Sequence, residues 1–339
     1  MASTSVGDAA GAMHLVDYAD SSAVKQVPTR NGFGEGLVEA GRRDENVIAI
    51  CADLSESTRM EAFKKNFPAR YVEIGVAEQM LVAMAAGLAA TGKIPFIASY
   101  AMFNPGRSWE QVRTTMALNE ANVKIAGAHA GVSVGPDGAT HQAIEDIAIM
   151  RVIPKMTVVV PCDSVQTQKA TLAVAARTGA TYLRFARAES AVITTDDTPF
   201  EVGRAQTFRD GDDVALVACG ILVYNALVAA DRLAREDHIE CRVVNNHTIK
   251  PMDEDAIVEA ARACGAVVTV EEHQVHGGMG SRVAEILAAR HPVPIEFIGV
   301  QDRFGQSGNP QDLVEEYGMG VSAICDAVKR VLARKRSRA

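Results

Sequence analysis

The sequence predicts an α/β protein of two domains, each built on a mainly parallel sheet. Three observations carry that expectation: short β-rich runs alternate with helical segments, the runs are almost wholly apolar, and a polar, threonine-rich break at 188–203 divides the chain. Apolar strands joined by helical crossovers indicate parallel sheets covered on both faces. At 339 residues, 48% hydrophobic and 22% charged, the chain is long enough for two full cores.

Taken in order, residues 1–23 have neither a basic start nor an apolar core and read as an arm that is disordered or ordered on assembly. The glycine-containing GEGLVEAGRR (34–43) opens a helix whose glycines serve packing. Strands are expected at 46–53, 93–100, 122–130, 156–161 and 181–186, with helical stretches at 108–117, 142–151 and 164–177 between them. Tyr71 to Ile74 reads as a strand end before Gly75, and Met80, Leu81, Met84, Ala85 and Leu88 recur at helical spacing. That helix is apolar on most sides, so burial of both faces is expected. The first domain spans 24–190, the linker 191–203 and the second domain 204–335, with strands at 213–220, 241–247, 266–272 and 294–300. The terminal KRVLARKRSRA reads as a solvated helix end or tail.

Composition excludes several classes. A net charge of -8 argues against a nucleic-acid surface. No uncharged apolar run reaches the roughly 18 residues of a membrane span. The six cysteines show no C-x-x-C pair, which fits a reducing cytoplasm. Neither a G-x-G-x-x-G after a strand nor a phosphate-binding P-loop is present.

In an open parallel sheet, ligands sit beyond the carboxyl ends of the strands. Four loops belong there: ADLSEST (52–58), GVAEQ (75–79), SYAMFNPGRSWEQVR (99–113) and AHAGVSVGPDGATHQAIED (128–146). Glu78 stands in the first turn of the apolar helix. A carboxylate there meets free backbone N–H groups and the helix dipole, the ordinary explanation. A buried one also needs a partner, and no Lys or Arg follows before Lys93, which leaves room for a ligand. His129, Asp137 and His141 surround a glycine-rich loop from which a helix starts at His141. Their spacing matches no common zinc pattern, so hydrogen bonding to sugar hydroxyls or phosphate is the favoured reading and no metal ligand is assigned.

Together these loops, with PCD, TIKPMD, EEHQVHGGMGSRVAEIL and DRFGQSGNPQDLVEEYG, resemble the transketolase family over residues 24–335, in the form of the C-terminal subunit of split transketolases. The resemblance implies a thiamine diphosphate-binding fold, with a pyrimidine-binding domain followed by a transketolase C-terminal domain. It implies that Glu78 is the catalytic glutamate that hydrogen-bonds N1′ of the aminopyrimidine, favouring the imino form that removes the thiazolium C2 proton. Phe103 and Tyr100 match aromatics against that ring, and Asp53 an acid near the cofactor. Arg30, Ser57, His129 and Arg187 fall at positions that hold the substrate phosphate, and Asp137 and His141 at hydroxyl-binding positions. Pro136, Gln79 and Tyr100 depart from many full-length members, which carry an acid, a His or aromatic, and Phe.

The family holds Mg²⁺ through a G-D-G segment and a downstream Asn, a pair this sequence lacks. The resemblance therefore implies an enzyme active only with an N-terminal, diphosphate-binding subunit, as an α2β2 assembly around a homodimer of this chain, acting on sugar phosphates. The β subunit of a 2-oxoacid dehydrogenase E1 component shares the layout but not GPDGATHQ. Deoxyxylulose phosphate synthesis and a non-catalytic interaction subunit complete the alternatives.

Overall fold

The computed structural model describes residues 13–20, 22 and 24–337. Six strands of the first half, β1 (Val47–Cys51), β2 (Tyr71–Glu73), β3 (Ile94–Tyr100), β4 (Lys124–Ala128), β5 (Thr157–Val159) and β6 (Thr181–Arg184), pair in parallel. Nearly all their residues are buried except in β2, as a sheet covered on both faces requires. The second half supplies β7 (Gln206–Arg209), β8 (Val214–Ala218), β9 (Cys241–Asn245), β10 (Thr248–Lys250), β11 (Val267–Gln274) and β12 (Ile295–Val300). Five of these form a second sheet in the order β12-β11-β8-β9-β7, with only β7 antiparallel. β10 crosses over to complete the first sheet, ordered β10-β5-β6-β4-β3-β1-β2, antiparallel to β5. That crossing was not expected from sequence, because a three-residue strand carries no periodicity. Lys250, at its end, donates to the carbonyls of Arg151 and Ile153 and so ties the halves together.

The helices are α1 (Thr29–Arg43), α2 (Glu61–Asn66), α3 (Glu78–Ala90), α4 (Trp109–Gln111, continued by a π-helical stretch, Val112–Ala117), α5 (Asp146–Arg151) and α6 (Ser164–Ala176) around the first sheet. Around the second lie α7 (Leu222–Asp237), α8 (Glu254–Cys264), α9 (Met279–Arg290), α10 (Pro310–Glu316) and α11 (Val321–Arg336). The expected packing glycines do pack: a Cβ on Gly36 would lie 2.7 Å from the Thr171 Cβ of α6, so only glycine lets α1 and α6 approach so closely.

Three expectations need correction and one, at the C-terminus, is met. The helix expected over 142–151 forms only from Asp146, because Ala143 pairs with Ala130 as a β-bridge and the Gln142 amide is drawn to the carbonyls of Val132, Gly135 and Gln306. α3 is not buried on both faces: Gln79, Met80, Ala83, Gly87 and Ala90 face solvent, with Met80 55% exposed. The terminal basic segment is the solvated helix end expected, with α11 running to Arg336 and Arg334 and Arg336 exposed, while Lys335 donates to the carbonyls of Asp213 and Cys264 and Arg334 pairs with Glu296. Finally, the described part of the N-terminal arm is docked. Tyr18 is 4% exposed within the second core and Val16 N–H donates to Ile193 O. Residues 1–12, 21 and 23 of the expected arm lie outside the described residues.

Candidate active site

The parallel strands end together and bring distant loops to one edge. Tyr100 is the last residue of β3, His129 follows β4, Asp53 follows β1, Arg187 follows β6 and Glu78 opens α3 after β2. Arg30 stands in the first turn of α1. No local pattern could assemble these six; the crossover topology does.

Tyr100 and Phe103 stack with ring centroids 6.0 Å apart and planes 4° from parallel. Both imidazoles pack on them: His129 lies 4.1 Å from Tyr100, and His141 meets Phe103 edge-on at 5.2 Å. Tyr100 O–H reaches the Ser57 hydroxyl at 3.5 Å. Burial, then the nearby guanidinium of Arg30, push the His129 pKa down to about 3. His129 is therefore neutral near pH 7, a hydrogen-bonding group and not a cation.

Glu78 is 3% exposed, and the cationic partner its own stretch lacks comes from a later loop. Arg107 Nη1 donates to its Oε2 over 2.9 Å, from a loop 29 residues on, while remaining 54% exposed itself. The same guanidinium lies 5.1 Å over the Phe103 ring.

On the other side, Arg30 Nη1 donates to Ser57 O at 3.0 Å and contacts His129 Nε2 at 3.4 Å. Burial depresses the Arg30 pKa, and the charges of Arg59 and Arg187 depress it further. Arg59, held by Asn31 Oδ1 at 2.9 Å, thus joins the two expected arginines in a positive field. Arg30 Nε and His129 Nδ1 are buried without hydrogen-bond partners, the condition of groups that await an acceptor or donor. Arg187 is paired with Asp137 Oδ2 at 2.8 Å, so these two expected substrate residues hold each other. Asp53 is exposed, with a left-handed backbone and its N–H bonded to Glu73 at 2.7 Å; it takes no part in the contacts that join the others.

The loop carrying Asp137 and His141 rests on the second domain. Glu272, at the end of β11, accepts the Ser133 N–H at 2.6 Å, and Gly131 lies against the same carboxylate. A Cβ on Gly131 would fall 2.2 Å from the Glu272 carboxyl carbon, and its φ of +89° is one that side chains rarely adopt. Gly131→Ala is expected to lower stability by about 2 kcal/mol or more. An unchanged denaturation midpoint would mean that the carboxylate yields freely.

Arg59, Arg107 and Glu272 were missed from sequence. Nothing in a spacing marks an arginine whose partner is 29 residues upstream, or a glutamate in another domain. Among the described residues no group of three or more His, Cys, Asp or Glu could hold a metal ion, and no helix is long and apolar enough to cross a membrane.

Comparison with known proteins agrees with this architecture. Residues 25–191 match the pyrimidine binding domain of transketolase, and residues 203–324 its C-terminal domain. The chain is 41% identical to a putative transketolase C-terminal section of Methanocaldococcus jannaschii, over 90% of this chain and 96% of that one. It is 39% identical to a 6-deoxy-6-sulfo-D-fructose transketolase subunit of a Clostridium species, over 91% of this chain and 96% of the relative. A solved structure described as a split gene transketolase, inactive beta4 tetramer, superposes with a TM-score of 0.85 at 43% identity, covering 91% of this chain and 99% of that one. The chain belongs to the transketolase family, with the pyrimidine-binding and C-terminal domains in that order.

Proposed function

We propose that this chain is one subunit of a two-polypeptide transketolase that moves a two-carbon ketol unit from an anionic ketose, such as a sugar phosphate, to an aldose. The observation that carries it is Glu78, a buried carboxylate in the first turn of α3, set at the strand ends beside Phe103. Such a carboxylate with a flat apolar neighbour suits a planar ring that offers nitrogen, and Arg107 already meets both with a planar N–H donor. Glu78, Phe103 and Tyr100 would hold the pyrimidine end of thiamine diphosphate, with Asp53 at the rim. When bound, that cofactor supplies the nucleophilic carbon that adds to the ketose carbonyl.

The chain's own residues do the rest. Glu78 would share a proton between its carboxylate and the ring nitrogen. The Tyr100–Phe103 wall excludes water from one side. His129 and His141, in reach of the same wall, offer ring nitrogens to sugar hydroxyls, and Asp137 an acceptor. Arg30, Ser57 and Arg187 meet the terminal anion, since guanidinium groups fork donors onto tetrahedral oxyanions. The described residues do not fit Mg²⁺, so its ligands and the diphosphate donors are assigned to an N-terminal partner subunit. A relative covered over 96% of its length is called a C-terminal section, and the neighbouring structure of β chains alone is called inactive; both support a missing partner. The exposed face of α3 with Val76, 71% exposed, suits pairing of two copies, giving α2β2. Six buried free cysteines suit a reducing cytoplasm.

Anion recognition has a direct test. Arg30→Ala is expected to weaken phosphorylated ketoses by about 2 kcal/mol, because its buried Nε lacks a partner and its guanidinium is only partly open to water. Arg187→Ala should cost less, about 1 kcal/mol, because Asp137 neutralises it and water screens it. Steady-state KM and kcat/KM for phosphorylated and unphosphorylated ketoses are compared in the reconstituted enzyme. Equal losses on both substrates would remove the anion role.

A further inference from the structure

We propose that Arg107 is a stand-in for the aminopyrimidine: in the ligand-free chain its guanidinium occupies the place, and makes the contacts, that the cofactor ring takes over. The inference rests on the proposed pyrimidine site and adds how that site is kept while empty. Three features of the geometry point to it. Glu78 is 3% exposed, and a buried carboxylate without a partner is costly. Arg107 Nη1 supplies that partner at 2.9 Å, reaching in from the segment between β3 and α4. Its planar head lies over Phe103 at 5.1 Å. A flat, N–H-bearing group that donates to Glu78 and covers Phe103 meets both demands expected of the ring, so in this proposal Arg107 and the ring compete for the same two contacts.

Arg107 is also able to leave. Its side chain is 54% exposed, so release returns the guanidinium to water, whereas Glu78 has no such escape. The segment that carries it is anchored independently: Ser108 donates to Asn104, both fully buried, and Arg107 N–H to Phe103 O. Only the side chain has to swing. The consequence is thermodynamic. Whatever free energy the Arg107–Glu78 contact contributes to the empty state must be given up on binding, so it lowers cofactor affinity by the same factor.

Arg107→Ala is therefore expected to act in two opposite directions at once. The ligand-free chain should unfold at a lower temperature, and thiamine diphosphate should bind about five- to thirtyfold more tightly, the range of one hydrogen bond to a charged group partly screened by water. Arg107→Lys, which keeps the charge without the flat face, should lie between. The measurement is calorimetric titration of the isolated chain with thiamine diphosphate up to millimolar concentration, with scanning of the ligand-free protein, repeated on the complex with the partner subunit. Affinity that is unchanged or weaker in Arg107→Ala, or undetectable in both proteins, overturns the stand-in; so does an unchanged ligand-free melting temperature. Glu78→Gln separates this from the site reading itself. If Glu78→Gln leaves cofactor affinity in the complex unaltered, the pyrimidine site is misplaced. If it weakens binding while Arg107→Ala fails to tighten it, only the stand-in fails.

Discussion

Glu78→Gln is expected to reduce ketol transfer by the assembled enzyme about 10²- to 10⁴-fold, the usual contribution of a positioned proton-transfer group. The amide has nearly the same shape, and it still fits beside Phe103 and can accept a hydrogen bond from Arg107 through its oxygen. It cannot hold and return a proton as a carboxylate does. The fold should therefore persist while the chemistry stops. Far-ultraviolet circular dichroism and melting establish the first half, and single-turnover assay with a ketose phosphate the second. Wild-type transfer by this variant would make Glu78 a helix-terminal carboxylate with a structural role only.

The second large effect concerns assembly. Alone, the chain is expected to show no ketol transfer and only weak affinity for thiamine diphosphate; with its partner both should rise by several orders of magnitude. Half of the cofactor's contacts explain the weak binding. On the proposed reading the pyrimidine contacts would lie here, while among the described residues no acidic or His/Cys group of three could hold a metal to clamp the diphosphate. The half-exposed apolar surface around Val76 and Met80 is in keeping with that incompleteness. Purified chain is titrated with cofactor and Mg²⁺, assayed, and assayed again after addition of the partner. Full activity from this polypeptide by itself would falsify the two-subunit reading.

Much of the fold was legible from sequence because its signals are local. The strands ending at Cys51, Tyr100 and Ala128 are mainly apolar runs, because burial on both sheet faces favours apolar residues whatever their neighbours are. The same holds for β8 and for the start of β11, Val267 to Val270, and helix periodicity marked α6. Local signals misled where tertiary contacts outbid them. Gln142 and Ala143 have helical pattern but are drawn into a bridge and a set of carbonyl contacts.

For the site, sequence alone singled out loops that the structure brings to one edge, and the residue types they carry: a carboxylate at a helix start, aromatics at and after a strand end, two histidines around a glycine loop. Motif order fixes these because each is a short run with its own geometry. The tertiary structure alone decided how they are paired. It placed Arg107 on Glu78 and Phe103, set Arg187 against Asp137, added Arg59 to the positive field of Arg30, and slid Glu272 of the second domain beneath Gly131. Those contacts join residues from 29 to more than 130 positions apart. An ion pair depends on where two side-chain heads end up in space, and that depends on crossover connections and domain docking, neither of which leaves a periodic trace in the chain.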